Sequence, residues 1–98
     1  MVVISYSSLR DFFKKHSDAE DALNNWYRIV EKADWSDFHE MKQMFNSVDS
    51  IGNDHYIFNI RGNTYRLIAL IFFNTRTVYV RFVGTHSVYN KIKDCSVI

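Results

Sequence analysis

The spacing of apolar residues changes near residue 51 from a helical repeat to a strand repeat. Upstream, apolar side chains recur at steps of three and four, the period of one helix face. The longest such stripe is Ala19, Ala22, Leu23, Trp26, Tyr27, Val30 and Ala33. Downstream, β-branched and aromatic stretches are separated by the turn signals Gly62-Asn63 and Asn74-Thr75-Arg76. The chain therefore divides into a helical part followed by a sheet.

These patterns predict an α+β fold with one N-terminal strand, two to three helices and a three-stranded antiparallel meander. The β-branched run Val2-Val3-Ile4 indicates the first strand. Helix starts are predicted near Ser8, Asp18 and Ser36. The expected strands of the meander are residues 55–60, 64–73 and 78–83. We expect the helices to pack on one face of this sheet.

Length and composition limit the class of protein. A chain of 98 residues is one domain, here residues 1–98, with no room for a second lobe. Hydrophobic residues make up 47%, which excludes wholesale disorder. One cysteine cannot form an internal disulfide, and no signal peptide is visible, so we expect a cytoplasmic protein. The longest apolar run, residues 67–73, is too short to span a bilayer, so no membrane partner is expected.

Charge is divided unevenly along the chain, although the net charge is only +1. Residues 1–54 carry six Lys or Arg and ten Asp or Glu, whereas residues 55–98 carry six Lys or Arg and one Asp. This asymmetry favours an anionic partner for the second half. The alternative is that acids simply collect on surface helices.

Motifs for metals and common cofactors are absent from the sequence. The four histidines lack metal-ligand spacing, and there is neither a phosphate-binding glycine loop nor a nucleophile elbow. Cys95 has no obvious base near it in sequence, so we expect no role for its thiol. We therefore expect neither a metal nor a cofactor.

Two arginines lie inside otherwise apolar strands. Alternation places Arg66 on a face with Leu70, and Arg81 on a face with Tyr79 and Val83. A charge in such a strand either pairs with a helix carboxylate or opens onto a solvated face, where it can bind phosphate. Both interpretations stay open for Arg66 and Arg81.

A histidine and a tyrosine, His86 and Tyr89, follow the last strand. A histidine can exchange a proton near neutral pH, and a tyrosine can stack on an unpaired base. With the arginines they allow metal-free RNA cleavage by the ribose 2′-hydroxyl, with a base to take its proton and an acid to protonate the leaving 5′-oxygen. The alternatives are a capping role for His86 and a core position for Tyr89.

Two segments carry a specific resemblance. Residues 58–69 read FNIRGNTYRLIA and residues 80–89 read VRFVGTHSVY. Together with Ala33-Asp34-Trp35 and Ile51-Gly52-Asn53, they make the chain resemble the HigB-type toxins, which are RelE-like members of type II toxin–antitoxin pairs. The resemblance extends from Val3 to about Ile92.

This resemblance implies the same order of one strand, two or three helices and a three-stranded antiparallel run. It implies an mRNA endonuclease that works without a metal and is usually ribosome-dependent. The implied partners are mRNA, the ribosome and a HigA-like helix-turn-helix antitoxin, with which the chain would form a hetero-oligomer.

Residue by residue, the resemblance assigns the catalytic site to Arg66, His86 and Tyr89. Arg66 matches the arginine of the YRL strand and is the expected phosphate ligand. His86 and Tyr89 match the THxxY end, the former as general acid or base and the latter as base stacker or proton carrier. The residues expected to bind RNA are Asn59, Arg61, Arg81, Lys91 and Lys93.

Four positions depart from the family's pattern. Arg61 replaces a frequent glycine, Asn46 replaces a frequent proline, and Val88-Tyr89-Asn90 stands where the family often has Glu-Tyr-Asp. The missing acid at position 90 is either a lost proton carrier or a lost surface charge. Two alternatives to a nuclease follow: a non-catalytic RNA- or ribosome-binding module derived from such a toxin, and a sheet that only docks another protein.

Overall fold

The computed structural model describes all 98 residues, whose strands form one five-stranded sheet. The strands are β1 (Val2–Ile4), β2 (Asp49–Gly52), β3 (His55–Ile60), β4 (Tyr65–Phe72) and β5 (Thr77–Thr85). They lie in the order β1-β5-β4-β3-β2, with β1 parallel to β5 and every other pair antiparallel. The strands β2 to β5 therefore form a meander, and β4 is the central strand.

Four α-helices accompany the sheet: α1 (Tyr6–Lys15), α2 (Glu20–Lys32), α3 (Phe38–Met44) and α4 (His86–Tyr89). Short 3₁₀ turns lie at Ser17–Ala19, Phe73–Thr75 and Cys95–Val97. The apolar stripe of α2 buries Leu23, Trp26 and Val30, as its period predicts. None of the helices combines the length and the apolar character that crossing a membrane requires.

The core lies between the first three helices and one face of the sheet. Leu9, Leu23 and Met41 are fully buried there, one from each helix. The Trp26 ring meets the Phe58 ring edge-on, with centroids 5.4 Å apart. Burying a large apolar side chain contributes about 1.5–3 kcal/mol, so this layer supplies much of the stability.

We call the sheet face turned away from α1, α2 and α3 the open face. Its residues on the three central strands are His55, Ile57, Asn59, Arg66, Ile68, Leu70, Tyr79, Arg81, Phe82 and Gly84. The helix α4 contacts β4 and β5, and the Cys95–Val97 turn contacts β2 and β3. The C-terminal part of the chain therefore folds back over part of this face.

A β-bulge in β5 changes the side-chain positions expected from simple alternation. Ile68 pairs with Phe82 and Ala69 with Val80, so Arg81 is an extra residue in its strand. Beyond the bulge, Val83 packs against the core. The expectation that Arg81 and Val83 share a face is therefore wrong, because the inserted residue reverses the alternation.

The α+β architecture, the N-terminal strand and the three predicted strands of the meander are confirmed, and the structure adds β2 at the far edge. The sequence indicated only a turn there. The strand β2 reads DSIG and is largely exposed, so it has no apolar alternation to find. It pairs with β3 alone.

Helix starts differ from prediction by one or two residues. The helix α1 begins at Tyr6, before the predicted Ser8, because Ser5 turns out of β1 with a φ of 79° and accepts the Ser8 N–H. The N-cap of α3 is Asp37, whose carboxylate accepts the Glu40 N–H at 3.0 Å, and not Ser36. The α1 start follows from where β1 ends, whereas the α3 start follows the local spacing of Asp37 and Glu40, one residue after Ser36.

Candidate active site

Arg66 lies on the central strand of the sheet, on the open face. Asn59 lies directly opposite it on β3, and Gly84 lies directly opposite it on β5. A Cβ at Gly84 would come within 2.6 Å of Cζ of Phe82, so the Phe82 ring occupies the space that a side chain there would need. One row of the sheet thus brings together a guanidinium, an amide and an aromatic ring.

The ring of Tyr89 covers the Arg66 guanidinium. Cζ of Arg66 lies 4.6 Å from the ring centroid of Tyr89, which is a cation–π contact. The Tyr89 ring also lies beside Phe82, with centroids 6.4 Å apart. Arg66 is therefore held in place by an aromatic ring and keeps its charge free for a ligand.

No carboxylate pairs with Arg66. The three ion pairs of the structure are Lys42–Asp49, Arg61–Asp18 and Arg76–Asp34. Nε of Arg66 is buried and has no hydrogen-bond partner. Leaving a buried donor unsatisfied costs about 1–3 kcal/mol, and more for a charged group, so the position favours an incoming anion. Pairing of Arg66 with a helix acid, the alternative considered from the sequence, is not observed.

His86 is the first residue of α4, and it follows Gly84 by two positions. The cap of this helix is Thr85, whose hydroxyl accepts the Val88 N–H at 3.4 Å, so His86 is not the capping residue. Nε2 of His86 is buried and has no hydrogen-bond partner. A buried imidazole nitrogen without a partner is an unsatisfied hydrogen-bonding group beside the end of β5.

The pKa of the Tyr89 phenol is raised above its usual value. Burial is the main cause and the adjacent Cys95 thiol adds to it, while the Arg66 guanidinium acts in the opposite direction. The phenol therefore keeps its proton at neutral pH and can donate it. This chemistry suits a hydrogen-bond donor or general acid better than a base.

Among the residues expected to bind RNA, Asn59 and Arg81 lie on the open face, and Lys91 and Lys93 lie in the exposed segment that follows α4. Asn59 is the cross-strand neighbour of Arg66. Arg81 is exposed, and its Nε donates to the main-chain oxygen of Ile98 at 3.0 Å. Lys91 and Lys93 are exposed in the segment after α4. These three cations and one amide therefore remain candidates for contact with an extended polyanion.

Arg61 is placed differently from the other candidates. It lies in the β3–β4 turn with a φ of 53°, and its Nη1 pairs with Asp18 at 3.3 Å. Asp18 belongs to the Ser17–Ala19 turn between α1 and α2. The structure therefore does not bring Arg61 together with Arg66 and Tyr89.

Sequence reasoning missed His55 as a residue of interest. The side chain is buried, with Nδ1 2.7 Å from the main-chain oxygen of Asn53 and Nε2 3.0 Å from that of Ile98. The imidazole therefore links the β2–β3 turn to the last residue of the chain. The one signal in the sequence was the alternation of β3, which places His55 on the same face of the sheet as Asn59.

Arg66 on the open face, together with Tyr89 and His86 of α4, offers groups that suit phosphate binding and proton transfer. Arg66 supplies a cation, Tyr89 a phenolic proton and His86 a free imidazole nitrogen. Nowhere in the chain do three or more His, Cys, Asp or Glu side chains lie close enough together to hold a metal ion.

Comparison with known families matches residues 19–92 to the HigB toxins, described as the RelE-like toxic component of a toxin–antitoxin system. The chain belongs to the HigB toxin family. The matched range contains β2 to β5 and α4, and with them Arg66, His86 and Tyr89. The family expected from the two sequence segments is therefore confirmed.

Individual HigB proteins are similar over nearly the whole chain. The mRNA interferase HigB of Escherichia coli O6:H1 is 29% identical over 94 residues, which cover 94% of this chain and 91% of that protein. The mRNA interferase toxin HigB of Escherichia coli K12 and the mRNA interferase HigB of Shigella flexneri are each 29% identical over 92 residues, covering 92% of this chain and 88% of each relative. These names agree with the endoribonuclease that the resemblance led us to expect.

Proposed function

We propose that this HigB-family chain is an mRNA interferase, an endoribonuclease that cuts mRNA on the ribosome without a metal and thereby inhibits translation. One observation carries the proposal: Arg66 lies under Tyr89 with no carboxylate partner and with a buried, unpartnered Nε. The names of the HigB relatives give independent support.

In this proposal Arg66 binds the scissile phosphate. A guanidinium presents several N–H groups in a fixed plane and can bind two phosphate oxygens at once. As the 2′-oxygen attacks phosphorus, negative charge grows on those oxygens, so a pre-positioned cation stabilises the transition state more than the ground state. Tyr89 keeps the guanidinium oriented by covering its face.

Protons are moved by the residues of α4. His86 accepts the proton of the ribose 2′-hydroxyl as its oxygen bonds to phosphorus. The bond from phosphorus to the 5′-oxygen breaks, and Tyr89 gives its phenolic proton to that oxygen. The products are a 2′,3′-cyclic phosphate and a 5′-hydroxyl, so no water enters the step. Because DNA lacks the 2′-hydroxyl, the reaction selects RNA by its chemistry.

The remaining basic residues would hold the longer substrate. Arg81 on the open face, with Lys91 and Lys93 in the exposed segment after α4, would contact mRNA or ribosomal RNA, and Asn59 would lie beside the scissile phosphate. The family implies an antitoxin partner, which we propose is a helix-turn-helix protein of the HigA type that forms a hetero-oligomer with this chain in the cytoplasm.

The test is cleavage of an mRNA on programmed ribosomes, with the ends of the products identified. We expect cleavage that is lost in Arg66→Ala and retained in Arg28→Ala, a control in which an exposed arginine of α2 is removed. A single 2′-deoxy nucleotide at the cut position should block the reaction. Products with 5′-phosphate ends would contradict the proposed chemistry, since they require water as the nucleophile.

A second candidate is a binder that holds RNA or the ribosome without cutting. The sequence Val88-Tyr89-Asn90 favours it, because no acid flanks Tyr89 where the family often has two. In the same assay this candidate predicts ribosome binding and stalled translation with intact message. That outcome would replace the nuclease proposal.

A further inference from the structure

Residues 94–98, which we call the C-terminal strap, lie against the open face of the sheet. The Cys95–Val97 turn of the strap contacts β2 and β3. No main-chain hydrogen bond joins the strap to a strand of the sheet. The strap is therefore not a further strand, and the hydrogen bonds that fix it on the sheet come from side chains.

Three side chains of the sheet region contact main-chain oxygens of the strap. Nδ2 of Asn53 donates to the Ser96 oxygen at 3.1 Å. Nε of Arg81 donates to the Ile98 oxygen at 3.0 Å, and Nε2 of His55 lies 3.0 Å from that same oxygen. Two nitrogens from different strands, β3 and β5, thus converge on a single oxygen atom.

This pair of nitrogens is placed to bind an anionic oxygen. His55 is only 5% exposed, and the contact of its Nδ1 with the Asn53 oxygen at 2.7 Å fixes the ring. Arg81 is exposed and has no Asp or Glu partner. Guanidinium and imidazole groups are ligands that proteins use for phosphate. The main-chain oxygen of Ile98 therefore occupies the position that a phosphate oxygen would take.

The pair lies on the same face of the sheet as Arg66. Asn59 is directly opposite Arg66, and His55 lies four positions before Asn59 on β3. At about 3.3 Å per residue, His55 is roughly 13 Å along the strand from the row of Arg66. An RNA strand whose scissile phosphate is bound by Arg66 would bring another of its phosphates to His55 and Arg81 within a few nucleotides.

Two apolar residues between these points favour the closed position of the strap. Ile57 and Ile68 face each other on the open face and are buried, although neither belongs to the core cluster under the helices. The strap contacts β3 and α4 contacts β4, the strands that carry them. Apolar area is thus kept from water without RNA, and an RNA strand has to compete for this part of the face.

We propose that His55 and Arg81 form a second phosphate subsite for RNA, and that the C-terminal strap occupies this subsite until RNA displaces it. The strap is then a competitive inhibitor built into the chain, and Arg81 binds RNA only after the strap has left. This inference rests on the RNA substrate of the proposed function, but its test measures binding and requires no cleavage.

The first test follows the strap in the full chain by ¹⁵N NMR relaxation. The probe is a short 2′-O-methyl RNA, which has no free 2′-hydroxyl and cannot be cut by the proposed chemistry. We expect the backbone order parameters of residues 94–98 to fall from about 0.85 to below about 0.6 when RNA binds. Bound RNA that leaves the strap rigid would overturn the inference alone, whereas a chain that binds but never cuts mRNA would contradict only the nuclease. Absence of any RNA binding would overturn both.

Asn53→Gly loosens the strap without changing the phosphate ligands. Asn53 has a φ of 52°, which glycine adopts readily, so the change removes the amide that holds Ser96. We expect RNA affinity to rise about fivefold, the value of one lost hydrogen bond in the competing strap. Asn63→Gly is the matched control, because Asn63 is an exposed asparagine in the turn at the opposite end of β3.

Combining Asn53→Gly with Arg81→Ala tests whether the strap and RNA compete for the same subsite. Without Arg81, RNA gains little where the strap has left, so Asn53→Gly should no longer raise the affinity. Melting curves show which variants are folded. Equal effects of Asn53→Gly and Asn63→Gly, or a gain that persists undiminished in Arg81→Ala, would each overturn the inference.

Discussion

Replacing Gly84 by alanine tests whether the Phe82–Tyr89 arrangement positions Arg66. The added Cβ would lie 2.6 Å from Cζ of Phe82 and 3.2 and 3.3 Å from its two Cε atoms. Carbon atoms pack best at about 3.5–4.0 Å, so the ring must retreat by roughly 1 Å. The Phe82 ring adjoins Tyr89, and Tyr89 covers Arg66, so the displacement of the ring also moves Arg66, the residue proposed to bind the phosphate.

We expect Gly84→Ala to lower both the stability of the protein and the rate of mRNA cleavage. Forcing extra volume into a packed site costs about 1–3 kcal/mol of unfolding free energy. A shift of about 1 Å in a catalytic group can cost about 10²-fold in rate. We therefore expect Gly84→Ala to melt at a lower temperature and to cleave ribosome-bound mRNA about a hundredfold more slowly, at a temperature where the protein is still folded.

Gly52→Ala separates the two effects. Gly52 has a φ of +93° on the edge strand β2, and no atom lies within 4 Å of the position that a Cβ would take there. Alanine at this position therefore adds backbone strain of about 1–2 kcal/mol and no steric overlap. It should lower the melting temperature with little change in cleavage. Adding Phe82→Leu to Gly84→Ala should recover stability by removing the ring atoms that collide. If Gly84→Ala cleaves at the unmodified rate, the reasoning about Phe82 and Tyr89 is refuted.

Three further predictions concern stability. The pKa of Tyr89 is raised in the folded chain, so the neutral phenol's contribution to stability is present below about pH 10 and is lost as the pH rises through the folded pKa. Unfolding in guanidinium should therefore show that Tyr89→Phe loses less stability than the parent between neutral and alkaline pH. Equal losses in the two proteins would contradict this. Asp37→Ala should cost about 1 kcal/mol by removing the α3 cap and should exceed Ser36→Ala, which urea titration can decide. Leu23→Ala should cost about 2–5 kcal/mol, and a smaller loss would mean that the core collapses around the missing side chain.

The elements that were predictable from the sequence are those with a long apolar period. The stripe of α2 spans several turns, so its buried side chains follow from the spacing of Leu23, Trp26 and Val30 alone. The alternation in β3 likewise separates Phe58, which enters the core, from Asn59, which does not. Both patterns reflect the need to bury one side of an element, and this need does not depend on the rest of the fold.

Features that depend on tertiary pairing were not predictable in this way. Arg81 forms a bulge because β5 has one residue more than β4 between the pairs Ile68–Phe82 and Ala69–Val80. No local signal in the sequence marks this extra residue. Cys95, for which the sequence suggested no role, lies beside Tyr89 because the C-terminal segment folds back over the open face. The side chains that bind the end of this segment, His55 and Arg81, are distant from it in sequence.

The uneven division of charge along the chain becomes a division across the sheet. Acids near the helices neutralise two arginines of the second half, through the pairs Arg61–Asp18 and Arg76–Asp34. The sheet separates those acids from the open face, where Arg66 and Arg81 have no Asp or Glu partner. A polyanion is therefore attracted to the open face, which orients it before any specific contact forms. The same separation explains why Arg66 has no ion-pair partner, because the acids near the helices lie on the far side of the core.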